Sequence, residues 1–456
     1  MLKDFSVEIV RTTIVQSPVP TKDCTLKGSN IDLTVPALSP GHFFVHKAVQ
    51  DKTYQEMATS IKKALSQTLV LFYPVAGRFI ISHNGEPEIE CNNQGVPFIE
   101  AEADASIKDL DFSQPSLSVA KLTPTRHPLQ GESPRSVPVL AVQVTRMKCD
   151  GIVVSCCFDH RIVDGISSCI LFNAWTEAAR GLSFSITPCF QRSLINPRQP
   201  LHAAALPEID SHYMALPFSA LTHTHPLQPQ IGRIYHLDAL TLLQLQALAN
   251  KTEAKPRVGK PITKMEAVSA YIWKVFARAQ ALSCSEATRI GIPIDGRAYL
   301  NLPPSYFGNA IAIPFKESYA EDILEQPLSE IAEIVRNVIC ASTNSEYFRS
   351  VVDWVEEKRP AAILARVYGE EGSALVVSSG VRIPLYEFDL GCGKPAFSSA
   401  YFPWGGTAGY VMLQASPLGD GNMVVYMHMA EKHLDAIETD PEFLFVRANR
   451  MNFWYQ

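Results

Sequence analysis

The chain has 456 residues, 46% apolar and 19% charged, with a formal net charge of −6 and a pI near 6.1. This length predicts two or three domains with sizeable cores, and the acidic balance argues against a dedicated nucleic-acid binder, which should be basic. No signal-peptide core, lipidation signal or apolar run long enough to span a membrane is legible, and ten cysteines without paired metal-site spacing fit thiols in a reducing cytoplasm.

In chain order, residues 5 to 185 read as mixed α/β. Ile61 to Phe72 has helical spacing and ends before Tyr73-Pro74, where proline disfavours continuation. Val139 to Met147 and Ile152 to Phe158 are β-rich runs around Lys148-Cys149-Asp150-Gly151, and the Asp-Gly pair predicts a hairpin. Gly165 to Arg180 then reads as a helix with Ile166, Cys169 and Ile170 on one face, stopping near Gly181. Residues 182 to about 230 contain seven prolines and little periodicity, which reads as a long connection. Its His223-Thr224-His225 has no Cys, Asp or Glu close by and reads as solvated linker, not as a metal site.

The second half opens a helix at Thr263-Lys264-Met265-Glu266, a capping-box sequence, and runs through Trp273 to about Arg278. Further helices fit Leu328 to Ala341 and Tyr347 to Lys358, before Pro360. Tyr410 to Gln414 and Met423 to His428 bracket Pro417-Leu418-Gly419-Asp420-Gly421-Asn422, a second hairpin that echoes the first.

The chemistry is concentrated in Phe158-Asp159-His160-Arg161-Ile162-Val163-Asp164-Gly165. An apolar strand feeds into this run and a helix leads away. A histidine at such a strand end can project its imidazole into a cleft as a general base. Asp164 can brace the turn that holds it, and Gly165 suits a tight backbone or a close approach. The competing reading is a satisfied histidine at a strand end. His42, His46 and His428 sit in no comparable motif and read as structural or solvent-facing.

Taken together, the pieces resemble the plant BAHD family of acyl-CoA-dependent acyltransferases. The resemblance is carried by Ser29-Asn30-Ile31-Asp32-Leu33, by Leu65 to Leu69 continuing to Phe72-Tyr73-Pro74-Val75-Ala76-Gly77-Arg78, and by His160 with Asp164. It continues through Asp295-Gly296-Arg297, Tyr306-Phe307-Gly308-Asn309 and Asp389-Leu390-Gly391-Cys392-Gly393-Lys394-Pro395. The usual form of the last motif is Asp-Phe-Gly-Trp-Gly-Lys-Pro, so Leu390 and Cys392 are departures. The segment Tyr401 to Gly406 is similar to a branch that acylates small aromatic or aliphatic alcohols, coniferyl-type alcohols among them.

The resemblance implies an α/β fold of two chloramphenicol-acetyltransferase-like domains, with an active-site channel between them. Residues 1–185 would form the first domain, with an exchanged segment of about 375–397. Residues 186–230 would be the crossover linker and 231–456 the second domain. It implies His160 as general base, Asp164 turned away from the channel onto Arg297, and Gly165 as a backbone-geometry residue. Ser378 would donate to the oxyanion, while Asp389, Gly391 and Gly393 would act as structural support. The phosphates of acyl-CoA would meet Lys260, Thr263 and Lys264 at a helix start. Phe402 and Trp404 would line an acceptor pocket.

The reaction so implied moves an acyl group from CoA to the hydroxyl of a small plant metabolite. The alternatives are amide formation on an amine, or a catalytically weak relative that binds or regulates. Acyl-CoA is a co-substrate in this reading. No permanently bound cofactor, metal, nucleic acid or membrane is expected, and the protein is expected to be a cytoplasmic monomer.

Overall fold

The computed structural model describes residues 5–21, 23–35, 38–111, 114, 118–127, 136–202, 207–217, 230–251, 260–369, 372–401 and 408–448. Two large mixed sheets organise these residues. The first has six strands in the order Val7–Val15, Val96–Ala103, Leu140–Arg146, Ile152–Phe158, Gly41–His46 and Phe397–Tyr401. The second has seven, with Ser373–Ser379, Gly409–Ala415, Met423–Ala430 and Gln230–Leu237 adjacent near its centre.

Strand Ile152–Phe158 of the first sheet and Met423–Ala430 of the second are buried along their whole length. That is why they read as continuous apolar runs with no alternation. The Asp-Gly hairpin forms as expected. Arg146 faces Ile152 across it, Met147 N–H donates to Gly151 O at 2.9 Å, and Asp150 takes φ 58°. The second hairpin pairs Ala415 with Met423.

The echo between the hairpins extends to the sheets. In each, a parallel pair is followed by two antiparallel ones: Val96–Ala103 with Leu140–Arg146, then Ile152–Phe158, then Gly41–His46. The counterpart is Ser373–Ser379 with Gly409–Ala415, then Met423–Ala430, then Gln230–Leu237. After Phe158 a six-residue turn intervenes before the helix Gly165–Ala179. After Ala430 the helix Glu431–Thr439 begins at once. Of the two corresponding strand ends, only the first carries a histidine turn.

Helix Tyr54–Leu71 starts two turns earlier than its apolar spacing suggests. Thr53 caps it and Glu56 closes the capping box. It packs on Gly165–Ala179, where the buried Trp175 donates its indole N–H to Ile61 O at 3.2 Å. The helices Lys264–Ala279, Leu328–Ser342 and Ser345–Lys358 lie within a residue or two of their expected bounds.

The proline-rich stretch is more structured than its sequence suggests. Helix Pro207–His212 leads into strand Tyr213–Leu216, which pairs with Ala362–Ala365. Elements of four to six residues are too short to show a period, and this pair is held by tertiary contacts such as Tyr213 Oη accepting from Ile313 N–H at 3.2 Å. His223-Thr224-His225 lies outside the described residues.

Of the segment 375–397, Leu375 to Ser379 lies in the seven-stranded sheet. Leu385, Phe388, Leu390 and Cys392 are buried in the core of the first half. Strand Phe397–Tyr401 then completes the six-stranded sheet on Gly41–His46. No helix among the described residues is long and apolar enough to cross a membrane.

Candidate active site

His160 lies in the turn that follows the strand Ile152–Phe158 and lines a cavity of about 950 Å³ between the two halves. The wall from the first half includes His42, Phe158 and Gly165; the wall from the second includes Ile313, Ser378, Tyr410 and Met412. The imidazole is half-buried. Burial lowers its pKa below the ordinary imidazole value, and its own backbone, Asp164, Asp159 and Asn309 pull partly the other way. The neutral ring, the form that can accept a proton, is therefore the stable one at neutral pH.

Two clamps fix the turn. The first is Asp164, 1% exposed, which accepts four hydrogen bonds. Arg297 Nη2 donates to Oδ1 and Nη1 to Oδ2, each at 2.9 Å. Ser167 N–H adds a bond at 2.8 Å, which makes Asp164 the N-cap of the following helix, and Ala310 N–H adds one at 3.1 Å. Burial acts to raise this carboxyl, but the Arg297 charge and the donors outweigh it, and its pKa falls below the usual range. Arg297 also donates to Asp295, Ser167 Oγ and the Tyr306 and Gly308 carbonyls. Asp164 is thus saturated by protein donors and serves the geometry of the turn.

The second clamp was not legible in the sequence. Asp159, immediately before His160, accepts from Arg161 Nη2 at 2.8 Å and from Arg126 Nη2 at 3.0 Å. Arg161 lies 3.7 Å from the centroid of the Phe79 ring, and Arg126 is held by Pro138 O and Ser39 Oγ. Burial works to raise Asp159, yet the two arginines hold it far below the usual carboxylate range. Arg126 lies 33 residues upstream, so no local pattern announces it.

Distant motifs meet at the same turn. Asn309 Nδ2 donates to His160 O at 2.8 Å and to Asp32 Oδ1 at 3.2 Å. Asp32 Oδ2 in turn accepts from Ser29 and forms a 2.7 Å ion pair with Arg192. A Cβ at Gly308 would sit 2.6 Å from the Arg192 guanidinium, so a side chain there would displace that group. Gly165 is less constrained: its Cβ would lie 3.2 Å from Ile383 Cδ1 on the opposite wall.

His42, expected to be structural or solvent-facing, instead lines the cavity beside His160. Burial and then His160 lower it to about 4, so it is also neutral. It stacks against Phe158 and meets Phe172 edge-on. A lone histidine in the aromatic run His42-Phe43-Phe44 gives no signal of this. His46 is buried away from the cavity near Asp389, and His428 contacts Tyr426.

Ser378 and Ser379 end a strand on the cavity wall, and Ser378 hydrogen-bonds Tyr410. Lys260, Thr263 and Lys264 line the same cavity at the N-terminus of Lys264–Ala279, joined by Arg382, which sequence reasoning left out. Asp389, Gly391 and Gly393 do not line it. Asp389 Oδ1 accepts from the N–H groups of Gly391 and Gly393 at 2.9 and 2.8 Å, and both glycines take positive φ, 98° and 81°. Leu390 and Cys392 point into the core, so the departures from the usual motif are apolar substitutions at buried positions. Phe402 and Trp404 lie outside the described residues. Among the described residues no cluster of three or more His, Cys, Asp or Glu side chains could hold a metal ion.

The sequence profile of the Transferase family matches residues 5–444. Shikimate O-hydroxycinnamoyltransferase of Nicotiana tabacum is 29% identical over 95% of this chain and 99% of its own length. Rosmarinate synthase of Plectranthus scutellarioides is 31% identical over 95% and 99%. Among solved structures, TRI101 of F. sporotrichioides complexed with coenzyme A and T-2 superposes with a TM-score of 0.72 at 18% identity, covering 92% of this chain and 98% of that one.

Proposed function

The chain belongs to the Transferase family, the BAHD acyltransferases, and from that premise we propose that it moves an acyl group from a CoA thioester to the hydroxyl of a small plant metabolite. The observation that carries this reading is the neutral His160 imidazole on the wall of a two-sided cavity, on a turn held from both sides. An alcohol is a weak nucleophile until its proton is removed as it attacks. His160 accepts that proton while the alcohol oxygen adds to the thioester carbonyl. The resulting oxyanion is met by a hydroxyl donor, for which Ser378 is the candidate. The imidazolium then returns its proton to the departing CoA sulfur, so His160 ends neutral. General-base help of this kind is typically worth about 10²–10⁴-fold in rate.

Lys260, Lys264, Arg382 and the helix start at Thr263 supply positive charge to the lining of the cavity for the CoA phosphates. The complex of TRI101 with coenzyme A supports a CoA site in this fold. Both walls also carry apolar and aromatic side chains, Phe158 on one and Ile313, Tyr410 and Met412 on the other, which suits an aromatic acyl group or acceptor. The hydroxycinnamoyl chemistry in the name of the tobacco relative supports the same choice. The protein acts as a cytoplasmic monomer in this reading. All ten cysteines are free thiols, in keeping with a reducing compartment.

The test is thiol release from acetyl-, benzoyl- and hydroxycinnamoyl-CoA with mixed alcohol and amine acceptors, comparing wild type with His160→Ala. Acceptor-dependent release abolished by the substitution is expected. Release that survives at the wild-type rate refutes the general-base role, and release with amines alone replaces the ester by an amide.

A further inference from the structure

A feature outside the active-site cavity concerns two cysteines 67 residues apart in sequence. Strands Cys24–Lys27 and Pro87–Cys91 run antiparallel in a four-stranded sheet, and their register sets Cys24 directly opposite Cys91. Directly opposed residues of an antiparallel pair have Cα atoms about 4.5–5.5 Å apart and side chains on one face. That separation falls within the range a disulfide spans, about 4.4–6.8 Å. No other two cysteines in the described strand registers face each other in this way. Burial, then the charge of and hydrogen bond with Cys24, raise the Cys91 thiol to about 12. The pair is asymmetric. Cys24 is exposed on the edge strand, whereas Cys91 is 1% exposed.

We infer that Cys24 and Cys91 form an oxidisable dithiol, a site where a glutathione-class disulfide closes a reversible cross-strand bridge. The exposed Cys24, as thiolate, attacks one sulfur of oxidised glutathione. A Cys24–glutathione disulfide forms and one glutathione thiolate leaves, taking a proton from solvent. The Cys91 sulfur then attacks Cys24 Sγ, and its proton goes to the second departing glutathione. Two protein thiols become one disulfide, and one oxidised glutathione becomes two reduced ones. The Cys24 adduct therefore precedes the bridge. Neither cysteine lines the active-site cavity. Yet Pro87–Cys91 pairs with Arg78–Ile81, whose Phe79 lies under Arg161. The bridge therefore stiffens the sheet that supports the second clamp.

The experiment is incubation of the full chain with oxidised glutathione, followed by thiol counting and non-reducing peptide mass mapping. Mapping under denaturing conditions should show Cys24 and Cys91 lost from the ten free thiols and joined in a cross-linked peptide that dithiothreitol abolishes. Cys24→Ser should lose the cross-link and gain no glutathione at Cys91. Cys91→Ser should stop at a stable adduct on Cys24. A wild-type protein that stops at that adduct, or that maps its disulfide to other cysteines, overturns the inference.

Discussion

The ion pair of Asp164 with Arg297 invites a quantitative test by Asp164→Asn. The substitution keeps the side-chain volume but removes the charge and turns one acceptor into a donor. Four donors then compete for one carbonyl oxygen. Arg297, 6% exposed, keeps only the more exposed Asp295 at 2.9 Å as a charged partner, together with Ser167 Oγ and two carbonyls. Removing one partner of a buried pair costs about 3–5 kcal/mol. The remaining acceptors place the expected loss at the lower end, about 3 kcal/mol. Urea unfolding of wild type, Asp164→Asn, Arg297→Met and the double variant closes a double-mutant cycle. Its coupling should be at least about 2 kcal/mol. The pH dependence has a definite sign. Arg297 holds the folded carboxyl below its ordinary value. The stabilisation is therefore present above the unfolded pKa of about 3.9 and is lost as pH falls through the folded value. The deficit of Asp164→Asn should shrink in acid. A loss below about 1 kcal/mol, with kcat unchanged, would refute the claim that this pair holds the catalytic turn.

Four further outcomes are expected. His160→Ala should lower kcat by about 10²–10⁴-fold or more, while the acyl-CoA dissociation constant stays within a few-fold by calorimetry. The acid limb of kcat/KM should lie below about pH 6.5, because burial lowers the His160 pKa and the rate rises as the base form fills; a limb above pH 7 would contradict this. Lys260→Ala with Lys264→Ala should raise KM for acyl-CoA in a salt-dependent way with little change in kcat, since both lysines are partly or fully exposed and act through screened charge. Asn309→Ala removes the donor shared by His160 O and Asp32. Thermal and urea unfolding should show a loss of about 2 kcal/mol, with kcat falling further than KM changes.

Much of this was determined locally, by the sequence alone. The capping box at Thr263, the Asp-Gly hairpin and the apolar strand before His160 are set by interactions spanning a few residues. Their signals survive in a linear reading. The ordered motifs around Asp32, Arg297 and Asn309 could be recognised, and the resemblance implied the pairing of Asp164 with Arg297 that the structure shows, but the link of Asp32 to Asn309 was not legible. Asp32 and Asn309 are 277 residues apart and share a hydrogen bond, and Asp164 reaches Arg297 across 133. Arg126 and Arg382 carry no local mark, and His42 reads as structural or solvent-facing until the six-stranded sheet lays its strand beside the His160 turn. Strand Phe397–Tyr401 likewise reveals its place only through its register with Gly41–His46. Local sequence fixes backbone preference and burial pattern because those energies come from neighbouring residues. The second clamp, the cavity and the Cys24–Cys91 register exist only after the chain has closed on itself, because each depends on side chains that folding brings into contact.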